Sequence, residues 1–381
     1  ELCYKSKNIY NYANYIVRQE FINNNNWIRF HNLCKIIKES EPYKDLGSNV
    51  GQQTLKILDK NWKSFLVIIK DWSNHPQKYL GKPRLPNYLK KDGRFVLGIT
   101  NNKFVIQEDG YIRFSWKPLR LLNNKYKTKI DGRPIQIRFI PKGNLYVMEL
   151  VYEIEVPELI TESNRIIGID IGINNLATVG NNARLQPFII NGKPLKSINQ
   201  YYNKVKASLQ SELKTKHNKN WSNKLQRLTQ KRHNKTEDYM HNASKFIIDY
   251  CLRNNFDTII IGKNDEWKQK IGLGKRINQN FIQIPFESLI HKIQYKAENI
   301  GIKVILTEES YTSGTSFLDY ELPIKENYNK NRRVKRGLFQ SSNHLINADL
   351  NASYQIIKKV FPNAYANGIE GVGLHPVRIN V

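Results

Sequence analysis

One acid stands where an acid is costly. In RIIGIDIGINNLATV (residues 165–179) the β-branched run Ile166, Ile167 and Ile169 reads as a buried strand, and Asp170 interrupts it. A carboxylate there needs compensation, for which a metal ion is the usual agent; the plainer alternative is an Asp that caps the strand end by hydrogen-bonding the turn. A second acid, Asp349, lies in SSNHLINADLNASYQIIKKV, where Asn347 can cap a helix and place Asp349 in its first turn. Carboxylates are the hard oxygen donors Mg²⁺ requires. Three of them brought together can hold two ions about 4 Å apart, the arrangement that hydrolyses phosphodiester bonds.

Elements that could position such acids follow in order. Gly172 and the Asn174-Asn175 pair turn the chain, Leu176–Val179 returns as a second strand, and Phe188–Ile190 forms a third, ended by Asn191-Gly192. Thr258–Gly262 is another buried strand; a helix near Ile284–Asn299 leads to the strand Lys303–Leu306, a parallel crossover unit. Three antiparallel strands, a crossover to parallel ones and a closing helix give the order of an RNase H-like α/β domain. That fold takes one carboxylate from the first strand, one from beside a middle strand and one from the last helix.

The front of the chain reads differently. Leu55, Leu58, Trp62, Phe65, Ile69 and Trp72 make an amphipathic helical stripe with Ser48 as its N-cap, and an earlier helix through Ile9, Ala13 and Val17 ends near Asn23–Asn26. LGKPRLPNYLKK (residues 80–91) is an extended basic linker. From Phe95 to Val156 the period is two, with turns at Asp109-Gly110 and Lys142-Gly143-Asn144, which predicts a small antiparallel barrel. The expected fold class is α+β and multidomain, with a helical lobe (1–75), a β-barrel (76–160) and an RNase H-like domain (161–381).

A formal net charge of +27 over 381 residues points to a polyanionic partner, most commonly nucleic acid. Residues 193–235 hold 12 Lys or Arg against Glu212 alone, so one or two very basic helices are predicted there. Three cysteines, at 3, 34 and 251, are too dispersed for a disulfide frame or a four-ligand zinc site, and imply a reducing, cytoplasmic setting. No apolar run is long enough to span a bilayer and no signal peptide is evident, so no membrane partner is expected. Glu rather than Met opens the sequence, so the natural start is expected upstream.

The segments GIDIGINNLATV, GKNDEWKQ, EESYTSGTSFLD (308–319) and INADLNASY, in that order, resemble the TnpB family, transposon-encoded RNA-guided nucleases related to the small type V CRISPR effectors. SKNIYNYANYIVRQEF, LDKNWKSF and LGKPRLP at the front are similar to the same group. The resemblance covers almost the whole chain. It implies a recognition lobe (1–75), a wedge barrel (76–160) and a RuvC-like nuclease (161–381) with a basic helical insertion (193–255) and a target-nucleic-acid-binding insert (312–345).

It also implies an RNA-guided DNA endonuclease working with two Mg²⁺ ions, for which Mn²⁺ could substitute. Its partners would be a guide RNA and a double-stranded DNA target carrying a short flanking motif. Two departures bear on this. The family has a Glu directly after the middle strand, where this chain has Gly262; the second carboxylate is then expected from Glu309 or Glu308, with Asp265 and Glu266 next and Asn264 only as a neutral helper. The insert lacks the family's two cysteine pairs, so no zinc is expected. Asp170, Glu309 and Asp349 are the expected metal ligands. Phosphate contacts are expected from Lys82, Arg84, Lys204, Lys206, Lys214, Lys216, Arg227, Lys231, Arg232, Lys268, Arg332, Arg333, Lys335 and Arg336. The rival readings are an RNA-guided binder that does not cut and a transposase or its accessory.

Overall fold

The computed structural model describes residues 1–160, 163–263 and 283–381; Asn264, Asp265, Glu266 and Lys268 lie outside the described residues. Two compact units divide the chain, Glu1–Glu155 and Val156–Val381.

Helical spacing shapes the first unit. Helices α1 (Leu2–Asn24), α2 (Phe30–Ile37), α3 (Glu41–Leu46) and α4 (Ser48–Asn74) follow one another. Leu55, Leu58 and Trp62 of the α4 stripe are fully buried, whereas Phe65, Ile69 and Trp72 are only partly covered. Ser48 is not the cap. It is the first helical residue, and Gly47 (φ +81°) takes the cap position with no side chain to offer. The basic linker lies along α1, where the side chains of Lys7, Asn11 and Asn14 donate to the carbonyls of Lys91, Leu89 and Pro86. Buried polar groups on α1 thereby find partners.

Five strands complete this unit: β1 (Leu97–Thr100), β2 (Phe104–Ile106), β3 (Ile112–Phe114), β4 (Arg133–Lys142) and β5 (Leu145–Glu153). They pair as an open sheet of order β1-β4-β5 and a separate β2–β3 hairpin, not as the closed barrel expected. Three paired strands are too few to close on themselves. Helices seal the sheet instead: Ile9, Ala13, Leu58 and Trp62 share one core with Ile99 and Ile137.

The second unit is built on a six-stranded sheet of order β10-β9-β6-β7-β8-β13. Its strands are β6 (Ile166–Ile171), β7 (Asn175–Asn181), β8 (Phe188–Asn191), β9 (Thr258–Gly262), β10 (Lys303–Thr307) and β13 (Val377–Ile379). A short hairpin, β11 (Leu338–Gln340) and β12 (Leu345–Asn347), precedes the last helix. Pairings β6–β7 and β7–β8 are antiparallel; β6–β9, β9–β10 and β8–β13 are parallel. Strand β13 was not anticipated. Helices α5 (Lys193–His217) and α6 (Asn223–Arg253) occupy the basic stretch, followed by α7 (Phe286–Glu298) and α8 (Ala348–Val360).

Strand alternation gives the sheet two differently covered faces. Ile167, Ile169, Ile259 and Ile261 join Met240, Ile247 and Leu289 of α6 and α7 in one core. Ile166 and Ile260 point the other way, onto Ile356 and Ile357 of α8. Gly168 lets α8 come close, since a Cβ there would stand 2.3 Å from the Ser353 carbonyl oxygen.

Candidate active site

The alternation that turns Ile166 and Gly168 toward α8 turns Asp170 the same way, at the C-terminal end of β6. There the first turn of α8 presents Asp349. Asn347 caps that helix as expected, its Oδ1 accepting from the Asp349 and Leu350 amides, both at 3.1 Å. Local sequence therefore fixes the direction in which each acid leaves its element.

The third carboxylate follows from register. Ile169 pairs with Ile261, so Asp170 stands level with Gly262, which in turn pairs with Thr307 of β10. Two residues past Thr307, Glu309 returns to the face of Gly262, and Glu308 takes the opposite one. The chain turns at once: the Thr312 amide and hydroxyl both donate to the Glu309 carbonyl, at 3.2 and 2.8 Å. The Glu309 side chain folds back over Gly262, where an added Cβ would lie 2.6 Å from Glu309 Cγ and 2.7 Å from its Oε1. It occupies the space a side chain at 262 would need. Glu308 is exposed and accepts from the neighbouring Ser310 hydroxyl.

Asp170, Glu309 and Asp349 line one cleft of about 1080 Å³, together with Asn174, Asn175, Lys193, Lys196, Arg333, Arg336 and Arg378. Burial pushes the Asp170 carboxyl well above the usual range, and the nearby charges of Asp349 and Glu309 raise it further, Arg333 opposing them. Glu309 is pushed up to about 7 by burial, against the pull of Lys359. Asp349 is gripped from two sides: Asn175 Nδ2 donates to its Oδ2 at 2.6 Å, and Arg333 Nη2 approaches its Oδ1 at 3.3 Å. Arg333 thus brings to Asp349 the positive charge that a bound cation would bring.

Among the described residues, no three His, Cys, Asp or Glu side chains come together as a ready-made single-ion cage. The donor chemistry nonetheless suits a hard divalent cation. The acids are all carboxylates, and two of them raise a third, a strain that added positive charge relieves.

The cationic residues fall into two groups. Arg84 is exposed in the first unit, as is Lys82 although it sits 5.7 Å over the Trp72 ring, and Lys204, Lys214, Arg227, Lys231, Lys335 and Arg336 are exposed in the second. Others already hold internal partners. Lys216 pairs with Glu212 at 3.1 Å and Lys206 sits 5.8 Å over the Tyr202 ring. Arg232 donates to Asn199 and to the Gln283 carbonyl, at 2.9 and 2.6 Å, which ties α6 to α5. Arg332 joins Asp319 and Glu321, at 3.4 and 2.7 Å. Sequence reasoning missed Asn175, taken only as a turn residue, and Arg378. The Asn-Asn pair beside Asp170 was the one available signal.

Parts of the chain are similar to known proteins. A family model described as a probable transposase (OrfB_IS605) matches residues 149–268, and one described as the Cas12f1-like TNB domain matches residues 286–356. The CRISPR-associated endodeoxyribonuclease Cas12f2 of Micrarchaeota archaeon (strain CG1_02_47_40) is 29% identical over 57% of this chain and 41% of its own length. Cas12f1 of Sulfoacidibacillus thermotolerans is 23% identical over 62% of this chain and 54% of its own. The chain therefore spans about half the length of these relatives. A cryo-EM structure of a Cas12f1–sgRNA–target DNA complex superposes with a TM-score of 0.60 at 15% identity, covering 93% of this chain and 81% of that one. The fold is thus of the mixed α/β, Cas12f1-like class. In sequence the chain is similar to TnpB-type transposases over residues 149–268 and to the small type V effectors.

Proposed function

We propose that this chain is an RNA-guided DNA endonuclease with an RNase H-like, RuvC-type site that hydrolyses target phosphodiesters. The observation that carries the reading is Glu309 folded over Gly262, which supplies a middle carboxylate beside Asp170 in the cleft that Asp349 also lines. Residues 1–75 would serve as recognition lobe, 76–160 as wedge and 312–345 as target-binding insert, with guide RNA and target DNA as partners in the cytoplasm. No helix among the described residues is long and apolar enough to cross a membrane.

Asp170, Glu309 and Asp349 are the residues that would hold Mg²⁺ or Mn²⁺. When bound, two such ions supply charge for the attacking and leaving oxygens and lower the pKa of a water. The chain's own residues set the stage. Asp170 and Asp349 project from a strand end and a helix start, elements whose positions the core fixes. Lys193, Lys196, Arg333, Arg336 and Arg378 ring the cleft with positive charge suited to a phosphate backbone. Arg333, exposed and bound to one Asp349 oxygen, can exchange that carboxylate for a phosphate.

The test is cleavage of a target plasmid by guide-loaded protein with Mg²⁺ or with chelator, alongside Glu308→Gln and Glu309→Gln. Wild type and Glu308→Gln should cut only with Mg²⁺, and Glu309→Gln should lose on the order of 10³-fold in rate. A wild type that binds its target without cutting would make the protein an RNA-guided binder. Concerted joining of strands instead of hydrolysis would make it a transposase.

A further inference from the structure

Strand β13 lies at the far edge of the sheet from β10, yet it reaches the cleft. It pairs in parallel with β8, Arg378 opposite Ile189, and from there the Arg378 guanidinium spans two amides. Its Nη2 donates to Asn175 Oδ1 at 3.1 Å and its Nη1 to Asn191 Oδ1 at 3.2 Å. The segment before β13 also touches the start of α8: the Asn347 amide donates to the Leu374 carbonyl at 3.1 Å, and the Tyr354 hydroxyl to that of Gly373 at 2.9 Å. One stretch of chain thus contacts both the cap beneath Asp349 and the amide that binds its carboxylate.

The chemistry of an amide gives this contact a direction. Asn175 offers an oxygen on one side and an NH₂ on the other, and the two ends can be exchanged by a flip. Flipped, it would turn its oxygen toward the Asp349 carboxylate, acceptor against acceptor. Arg378 carries donors only, so it can be satisfied only by the Asn175 oxygen. Holding that oxygen leaves the NH₂ facing Asp349 Oδ2. With that oxygen so engaged, the carboxylate is fixed in rotation.

We infer that Arg378 is a positioning residue for the carboxylate site, acting through Asn175 to set the orientation of Asp349. The inference rests on the metal-binding reading of the cleft. Partners of this kind typically change metal affinity 10- to 100-fold when removed.

The experiment measures Mn²⁺ binding by electron paramagnetic resonance on the full chain without nucleic acid, for wild type, Arg378→Gln, Arg378→Lys, Asn175→Leu and the Arg378→Gln/Asn175→Leu pair. Arg378→Gln and Asn175→Leu should each weaken Mn²⁺ binding about 10-fold, and the pair no more than either alone, because both act on one contact. Arg378→Lys, which still donates to Asn175, should bind Mn²⁺ nearly as wild type does. Thermal melting of each variant accompanies the measurement; Mn²⁺ loss that merely tracks a falling melting temperature, in Arg378→Lys as much as in Arg378→Gln, would overturn the inference. So would Mn²⁺ binding unchanged in Arg378→Gln. Wild type that binds no Mn²⁺ would instead remove the metal-binding reading itself.

Discussion

A single methyl group added at position 262 would meet two side chains at once. It would stand 2.6 Å from Glu309 Cγ and 2.6 Å from Ile356 Cδ1, and Ile356 is fully buried, so Glu309 must be the one to move. Gly262→Ala should therefore slow cleavage at least 10-fold while costing about 1–3 kcal/mol of stability for overpacking. Cleavage rates read beside a urea titration check this; unchanged rates would mean that the seat of Glu309 does not matter. Exchanging the two positions, Gly262→Glu with Glu309→Gly, returns the carboxylate to the strand and should recover part of the activity that Glu309→Gly alone loses. At this scale the sequence was informative where the determinant is local. Asp170 is turned by strand parity and Asp349 by an Asn cap, while the choice between Glu309 and Glu308 follows from the register of β10 against β9. The contacts of Asn175 with Asp349 and with Arg378 join chain segments 174 and 203 positions apart, and no spacing announces them.

Elements were legible in proportion to their length. The long stripe of α4 and the β-branched runs of β6 and β9 carry enough residues to show a period, whereas β13 has three residues and shows none. The barrel was misjudged because alternation identifies strands without saying how many will pair. The packing of α6 against α7 offers a test at this scale. Lys292 Nζ meets Glu237 Oε2 at 2.7 Å and the Ser288 hydroxyl at 2.9 Å, with the lysine side chain only 11% exposed. Burial alone would raise the Glu237 carboxyl, but bonding to Lys292 outweighs it and the group sits below its ordinary range. A lowered carboxylate contributes stability above the unfolded pKa, near 4.3, and loses it as pH falls through the folded value. Lys292→Met should thus cost about 2 kcal/mol at pH 7 and much less near pH 3, as followed by urea unfolding. An equal cost at both pH values would assign the effect to packing alone.

Across the whole molecule the charge of +27 is unevenly committed. Replacing Lys204, Lys206, Lys214 and Lys216 with Gln should flatten the dependence of heteroduplex affinity on log salt by about 2 to 4 units, at a slope near 0.9 per phosphate contact. The upper value requires Lys216 and Lys206 to leave Glu212 and the Tyr202 ring. An unchanged slope would return α5 to a merely solvated face. Arg232→Gln should lower the melting temperature and leave the slope alone, because that guanidinium is bound within the protein. The long reach of Arg378 has a consequence in time as well. Asn175 and its partner lie 203 positions apart, and a chain made from its N-terminus folds its early segments first. During synthesis the sheet can gather β6 to β10 long before the strand that steadies Asp349 has left the ribosome. A nascent protein of this design would hold Asp349 without its Asn175 brace, and bind metal about 10-fold more weakly, until translation had passed Arg378.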